Sequence, residues 1–157
     1  MYYEDNIELD GMTFAVYLDR DEDMRAPWRG YDCHGPVSGW MSRGKRPGEL
    51  VLCEDRGSKR YYDFAEACRI ARRDGWGGFK GAPRQRAALA ARADYERLRA
   101  WCKDEWYYAV IQVRLLDEFG DEIARSSCLG GVESDDWQSC AEELARELII
   151  DAQRMAA

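Results

Sequence analysis

Several features that are common in enzymes, metal sites and membrane proteins are missing from this 157-residue sequence. It contains one histidine and four prolines. It has no C-x-x-C pair, no G-x-S-x-G elbow, no Walker phosphate loop and no EF-hand calcium loop. No stretch approaches the 18 apolar residues that a membrane-spanning helix requires, and the amino-terminal residues are acidic where a secretory signal is basic. We therefore expect a soluble, cytoplasmic protein that is not an enzyme.

The residue types that could still carry chemistry are few and scattered. Imidazole chemistry would have to use His34, whose neighbouring nucleophiles are Cys33 and Ser38. Adjacent side chains rarely point together, so this arrangement does not indicate a nucleophile and its base. A zinc site would need Cys33, His34, Cys53 and another cysteine, at spacings unlike those of structural zinc sites. We predict no catalytic residues and no cofactor, and the sequence leaves a metal at these three residues open.

Charge is distributed unevenly along the chain. Residues 1–26 carry 2 basic and 8 acidic side chains, a net of −6. Residues 27–103 carry 17 basic and 9 acidic side chains, a net of +8, whereas residues 104–157 carry 4 and 13, a net of −9. The chain is thus a basic middle between two acidic ends, and either kind of surface could recognise a partner of opposite charge.

The spacing of apolar residues predicts an α+β fold. The predicted elements are strands at 12–18, 49–54 and 58–62, helices at 63–75 and 84–103, strands at 105–116 and 122–129, and a helix from about 134. We expect a single domain over residues 1–157, with one antiparallel sheet and about three helices on one of its faces. Two loosely similar β-β-α units, about 12–76 and 105–157, would be joined by the basic helix at 84–103.

Two sets of side chains are candidates for binding. Aromatic and arginine side chains tend to anchor protein interfaces. The candidates for a partner interface are Trp28, Trp40, Arg72, Arg73, Trp76 and Phe79. Basic side chains interleaved with aromatic rings can also contact phosphates and stack on bases. The candidates for nucleic-acid binding are Arg69, Lys80, Arg84, Arg86, Arg92, Arg99 and Lys103.

Three segments occur in an order that resembles small uncharacterised proteins of tailed bacteriophages. The first runs from His34-Gly35-Pro36 to Trp40, the second covers residues 60–64 and 71–76, and the third leads from residues 106–111 to 129–135. The resemblance covers about two thirds of the chain and brings no activity, cofactor or catalytic residue. It implies a protein that works in the cytoplasm of an infected bacterium.

The main functional hypothesis follows from that setting. A small phage protein without enzyme motifs is expected to bind a host protein or nucleoprotein complex, and to inhibit it as an anti-CRISPR or anti-restriction protein does. The alternative is a nucleic-acid-binding protein that uses the arginine-rich central helices. An enzyme centred on His34 is a third class. The sequence predicts no membrane partner, and it leaves the identity of the partner and the oligomeric state open.

Overall fold

The structure is a computed structural model, and it describes residues 1–30 and 33–157. The elements are β1 (Tyr2–Leu9), β2 (Met12–Arg20), β3 (Glu49–Asp55), β4 (Ser58–Asp63), α1 (Phe64–Asp74), α2 (Pro83–Cys102), β5 (Tyr108–Leu116), β6 (Glu122–Glu133), a 3-10 turn (Ser134–Asp136) and α3 (Trp137–Ala156). The α+β class and the three helices are confirmed. Within the residues described, no helix combines the length and the hydropathy that crossing a bilayer requires.

The elements form two compact units with opposite charge. The acidic unit comprises Met1–Met24 and Trp106–Ala157, and the basic unit comprises Arg25–Glu105. The acidic unit has 5 basic and 19 acidic side chains, a net of −14, and the basic unit has 18 and 11, a net of +7. The boundaries read from the charge pattern lie within about two residues of those between the units. Charge segregation in the sequence therefore follows the division of the fold.

The acidic unit is built on a four-stranded antiparallel sheet with the strand order β1-β2-β5-β6. β1 and β2 are joined at Asp10 and Gly11, whose φ angles are 50° and 78°. Positive φ at both central residues is the geometry of a type I′ hairpin turn, for which Asp-Gly is a preferred pair. The sequence analysis missed β1, although this Asp-Gly pair beside alternating apolar residues was its signal.

The core of the acidic unit lies between this sheet and α3. The residues of β2 and β5 that belong to this core alternate along each strand, so that they share one face, and Ala15 of β2 is buried as well. The buried core side chains include Phe14, Val16, Leu18, Ala109, Ile111, Val113, Ala141, Leu144 and Leu148. β5 lies between β2 and β6 in the sheet, so both of its edges are paired. The buried stripe of α3 ends at Ile149, and Met155 in the final turn is 75% exposed.

The basic unit contains the β3-β4 hairpin and the helices α1 and α2. The predicted hairpin is confirmed, and its turn places Arg56 and Gly57 at φ angles of 48° and 85°. Asp63 caps α1 by accepting a hydrogen bond from the backbone N of Glu66 at 3.0 Å, which satisfies one of the free amides of the first turn. Residues 36–41 form isolated bridges to β4, at Val37–Tyr62 and Met41–Lys59, rather than a full edge strand.

The strands are divided between two sheets, where one sheet was expected. β3 and β4 form a separate two-stranded sheet, and α3 packs against the four-stranded one. The expected grouping of residues 12–76 also differs from the structure, because β2 pairs with β5 rather than with the hairpin at 49–63. Such pairing joins segments about 90 residues apart, and local apolar periodicity contains no information about it.

Candidate binding site

The basic unit contains a cavity of about 470 Å³ lined by three indoles and three guanidinium groups. The side chains are Trp28, Trp40, Trp101, Arg25, Arg29 and Arg60. We call this cavity the tryptophan–arginine pocket. Arg60 belongs to β4 and Trp101 to the last turn of α2, whereas Trp28 and Trp40 come from the long loop before β3. A hairpin, a helix end and a loop therefore build the pocket together.

Backbone contacts to β4 hold the loop segment that carries Trp40. The backbone N of Ser38 donates to the carbonyl of Tyr61 at 2.9 Å, and the backbone N of Tyr61 donates to Ser38 Oγ at 2.9 Å. The bridge at Met41 continues this pairing on the other side of Trp40. Because both flanks of Trp40 are hydrogen-bonded to β4, its indole is fixed beside Arg60.

Arg60 is a buried cation with little compensation. It is 9% exposed, and its guanidinium carbon lies 5.3 Å from the ring centroid of Trp28 and 4.7 Å from that of Trp40. Its Nη1 donates to the carbonyl of Ser38 at a long 3.3 Å, and no described carboxylate lies within ion-pair distance. Burying a charge is costly unless it is paired and hydrogen-bonded. Of the five donors of this guanidinium, one has a hydrogen-bond acceptor among the residues that the structure describes.

The indoles of the pocket differ in their packing. Trp28 meets Trp101 edge to face, with ring centroids 5.3 Å apart and an interplanar angle of 84°. This arrangement is favoured by the ring quadrupoles, and it holds both rings in place. Trp40 is 47% exposed and offers aromatic surface to solvent. The pocket thus combines a rigid aromatic wall with one indole that a planar ligand could reach.

Two thiols and two carboxylates complete the lining of the pocket. Burial raises the pKa of the Cys102 thiol to about 12, and the neighbouring thiol of Cys53 adds to the effect. Cys102 is therefore protonated at neutral pH and adds no negative charge. Glu54 and Asp55 are exposed at the end of β3, and Glu54 lies 3.7 Å from Lys59 Nζ. The lining therefore contains both hydrogen-bond donors, on the arginines, and acceptors, on the carboxylates.

A second group of aromatic and basic side chains lies where α1 ends and α2 begins. We call Arg72, Trp76, Phe79 and Arg86, which line a cavity of about 220 Å³, the Trp76 cluster. The indole of Trp76 packs on buried alanines of the two helices, and its backbone N donates to the carbonyl of Ala71 at 2.9 Å. Phe79 is 38% exposed. The cluster therefore combines an anchored ring, an accessible ring and two arginines in the lining of one cavity.

The structure divides the predicted partner-interface residues between these two places. Trp28 and Trp40 line the tryptophan–arginine pocket, and Arg72, Trp76 and Phe79 belong to the Trp76 cluster. Arg73 lines neither cavity, and its Nε lies 2.9 Å from Asp74 Oδ1. All six are in the basic unit, but they do not form one continuous site. A comparison with known protein families, curated proteins and solved structures found no match.

Local pairing engages several of the predicted nucleic-acid-binding side chains. Arg69 pairs with Glu66 at 2.7 Å, and Arg92 pairs with Glu96 at 3.2 Å. Arg99 donates to the hydroxyl of Tyr95 at 3.2 Å. Such exposed pairs are weak and remain open to exchange.

The other members of that set are exposed around α2. Arg86 belongs to the Trp76 cluster, and Lys80 and Arg84 lie close to it along the chain. Lys103 is the C-cap residue at the opposite end of the helix. The first turn of α2 has no acidic residue and its N-cap, Ala82, makes no side-chain hydrogen bond. Positive charge is therefore concentrated at the beginning of α2.

A buried hydrogen-bond network around Asp94 was missed by the sequence analysis. The side chain of Asp94 is 8% exposed, and its Oδ1 lies 2.6 Å from His34 Nδ1. Its Oδ2 accepts hydrogen bonds from the backbone N of Gly35 at 2.8 Å and from the hydroxyl of Tyr62 at 2.6 Å. Burial raises the pKa of Tyr62, and the hydrogen bond to Asp94 adds to that shift. The available signal was a carboxylate on the apolar stripe of α2, between Ala91 and Leu98.

This Asp94 network ties the segment at 33–36 to α2 and β4. A carboxylate at Nδ1 can also orient a histidine that acts as a general base. The nearby hydroxyl that such a base could activate is that of Ser38, but its Oγ donates to the Gly39 carbonyl and accepts from the backbone N of Tyr61. An added Cβ at Gly35 would lie 2.6 Å from the Tyr62 hydroxyl and 2.7 Å from the Ala67 Cβ, so only glycine allows this close approach. The geometry is that of an anchor for the loop that supplies Trp28 and Trp40.

The cysteine and histidine side chains considered for a metal are not brought together. The Nδ1 of His34 is engaged by Asp94, Cys53 lines the tryptophan–arginine pocket, and Cys33 is exposed. Across residues 1–30 and 33–157, no three histidine, cysteine or acidic side chains are grouped so that they could hold a metal ion.

Proposed function

We propose that this protein is a non-enzymatic interaction protein whose basic unit binds nucleic acid. The observation that carries the proposal is Arg60, a buried cation with no carboxylate partner among residues 1–30 and 33–157, beside indoles in a unit of net charge +7. Phosphates would supply the missing negative charge, and bases would stack on the aromatic rings. Of the two binding hypotheses drawn from the sequence, the geometry therefore favours nucleic acid.

The Trp76 cluster supports the same partner. It repeats the combination of ring and guanidinium found in the tryptophan–arginine pocket, because exposed Phe79 lines the same cavity as Arg72 and Arg86. A strand that follows a basic surface gains from several such places, because each neutralised phosphate releases counterions. The net charge of −7 for the whole chain opposes non-specific attraction. Binding should therefore depend on local contacts in the basic unit.

The direct test is fluorescence anisotropy with a labelled oligonucleotide of about 20 nucleotides at several salt concentrations. We expect the logarithm of the association constant to fall linearly with the logarithm of the salt concentration. The double substitution Arg84→Glu and Arg86→Glu should lower the affinity more than Arg69→Glu combined with Arg73→Glu. The control pair changes the same total charge at side chains that already have carboxylate partners. Absence of binding at about 50 mM salt would contradict the proposal.

A second candidate uses the acidic unit. With its net charge of −14, this unit could dock on a basic surface of a bacterial host complex and inhibit it, as the phage-type resemblance implies. Glu143, Glu147 and Asp151 are exposed along α3 at i, i+4 spacing and extend this charge in one direction. Cytoplasmic localisation in the infected bacterium is part of this proposal, and an anti-defence role is its most specific form.

A pull-down from bacterial lysate, with and without nuclease, separates the two candidates. A stoichiometric protein partner that resists nuclease, and is lost when Glu143 and Glu147 are changed to Gln, would support docking through the acidic unit. The matched control is Glu66→Gln with Glu96→Gln, which removes the same charge from the basic unit. Recovered nucleic acid that disappears with nuclease, without a protein partner, would support the first proposal.

A further inference from the structure

The tryptophan–arginine pocket has the size and lining of a site for a small planar anion. Its volume of about 470 Å³ lies within the range of about 300–1,000 Å³ that is usual for small-molecule sites. Aromatic walls favour a flat ring, and convergent polar groups set its orientation. A nucleotide unit of a strand, one base with its phosphate, has this combination of a ring and a negative charge.

Arg60 is the group that an anionic ligand would contact. The residue is nine-tenths buried, and its hydrogen bond among the described residues is the 3.3 Å contact with the Ser38 carbonyl. A guanidinium matches a phosphate through two parallel hydrogen bonds, which a carbonyl does not replace. Since Cys102 is protonated, no thiolate of that residue competes for the cation. A phosphate in the pocket would complete the partners of Arg60.

Trp40 is the stacking surface that such a ligand would reach. The Arg60 guanidinium lies over this indole at 4.7 Å, yet 47% of the residue is exposed. The cation therefore fixes the ring without covering it. Base–aromatic stacking tolerates any base, because every base has a π face. The nearby carboxylates of Glu54 and Asp55 are acceptors that suit the amino groups of an unpaired base.

We infer that the tryptophan–arginine pocket takes one unpaired nucleobase together with its phosphate, so that the protein selects single strands over duplex. The inference rests on the proposed nucleic-acid binding and adds the site and the form of the ligand. In a duplex, base faces are stacked and Watson–Crick edges are paired. A base inside a strand can therefore enter the pocket only where it is unpaired.

The test compares a labelled single-stranded oligonucleotide with the same sequence as a duplex, by anisotropy at one fixed salt concentration. Wild type should bind the single strand at least about tenfold more tightly, since stacking of one base is worth that much. Trp40→Ala and Arg60→Met should each remove most of this preference. Arg46→Met, at an exposed arginine that does not line the pocket, is the charge-matched control and should keep it.

The outcomes separate the inference from the function on which it rests. Equal affinity of wild type for single strand and duplex, or a preference that survives Trp40→Ala, would overturn the inference while leaving nucleic-acid binding in place. If neither the single strand nor the duplex bound, the inference and the proposed nucleic-acid binding would both be overturned. Trp40→Ala decides the matter if Arg60→Met does not fold, because Trp40 is half exposed and thermal unfolding can verify the variant. Displacement of the single strand by adenosine 5′-monophosphate, weaker for Trp40→Ala, would add direct support.

Discussion

The two units differ in what fills their interiors. The acidic unit has an apolar core, in which residues of a four-stranded sheet pack on one helix. The basic unit also buries polar groups, among them Arg60, Asp94 and the hydroxyls of Tyr62 and Tyr95. Buried polar groups are demanding, because each one needs a partner. Their concentration beside the tryptophan–arginine pocket indicates that the basic unit is specialised for recognition and the acidic unit for stability and charge.

Surface charge pairing does not alter this contrast. The exposed pairs of the basic unit, such as Arg69–Glu66 and Arg92–Glu96, have the weak energies of solvated ion pairs. In the acidic unit, the excess of acidic over basic side chains leaves most carboxylates without a cation. Core packing must therefore hold the acidic unit against its own repulsion. Loss of core packing should therefore destabilise mainly the acidic unit, and loss of buried hydrogen-bond partners mainly the basic unit.

The largest expected effect is a cavity in the acidic unit. Ile111 is fully buried at the centre of β5, so Ile111→Ala should lower the free energy of unfolding by about 4 kcal/mol. Ile150→Ala, at a residue that is 47% exposed on α3, should cost less than about 1 kcal/mol. Urea unfolding measures both variants. Equal effects at the two positions would contradict the assignment of Ile111 to the core of the acidic unit.

A loss of hydrogen-bond partners in the basic unit should have a smaller but distinct effect. Asp94→Asn replaces a carboxylate that receives three contacts by an amide that cannot accept at both atoms. We expect a loss of about 2–3 kcal/mol, the usual cost of a buried donor left unsatisfied. Hydrogen exchange should show reduced protection in β4 and α2, and unchanged protection in β2 and β5.

The control for this variant is Asp151→Asn, at an exposed residue of the acidic unit, which should change stability by no more than about 0.5 kcal/mol. If loss of the Asp94 carboxylate reduced protection equally in both units, the network would not be confined to the basic unit. A variant as stable as wild type would show that the three contacts contribute little.

The local elements could be predicted from sequence because their signals are local. The cap at Asp63, the glycine at Gly75 and the alternation in β5 each depend on residues a few positions apart. The charge segments coincide with the division between the units, but the sequence analysis expected one domain with a different grouping and did not derive this division from them. The pairing of β2 with β5 could not be predicted, because the chain between them forms a whole unit and no pattern links their sequences.

The site shows the same limit. Trp28 and Trp40 were selected for their residue type, and the structure places both at the pocket. Arg60 and Trp101 were not selected, because nothing in a single sequence shows that an arginine of a hairpin is buried against two indoles. Asp94 was hidden in an arginine-rich helix. Partners that lie 60 and 32 residues away, His34 and Tyr62, give it its role.

Acid should weaken the basic unit through Glu49. Both oxygens of this carboxylate receive the Arg43 guanidinium at 2.8 Å, and this pairing lowers the pKa of Glu49 from 4.5 to about 2. Because the pKa is lower in the folded state, the stabilisation is complete above pH 4.5 and is lost as the pH falls towards 2. Glu49→Gln should therefore reduce stability at neutral pH and flatten the decline between pH 4.5 and 2.

Glu122 provides the counterpart in the acidic unit. A hydrogen bond from Tyr17, and to a smaller extent one from Arg114, lowers the pKa of Glu122. The contribution of Glu122 to stability is therefore also lost as the pH falls. We expect Glu122→Gln to flatten the acid decline less than Glu49→Gln, because the Glu122 pair is more exposed. Urea midpoints measured from pH 7 to pH 2 test the order. A larger change for Glu122→Gln would reverse the comparison.

The smallest perturbation is chemical labelling of thiols, which leaves the fold intact at early times. Cys128 of the acidic unit is exposed, whereas Cys102 lies in the tryptophan–arginine pocket with a pKa raised to about 12. Because the thiolate is the reacting species, iodoacetamide at pH 8 should modify Cys102 at least about a hundredfold more slowly than Cys128. Mass spectrometry of peptides gives both rates, and unfolding in urea should make them similar. Rapid labelling of Cys102 in the native protein would mean that its thiol is not buried, and the raised pKa of Cys102 would then not hold.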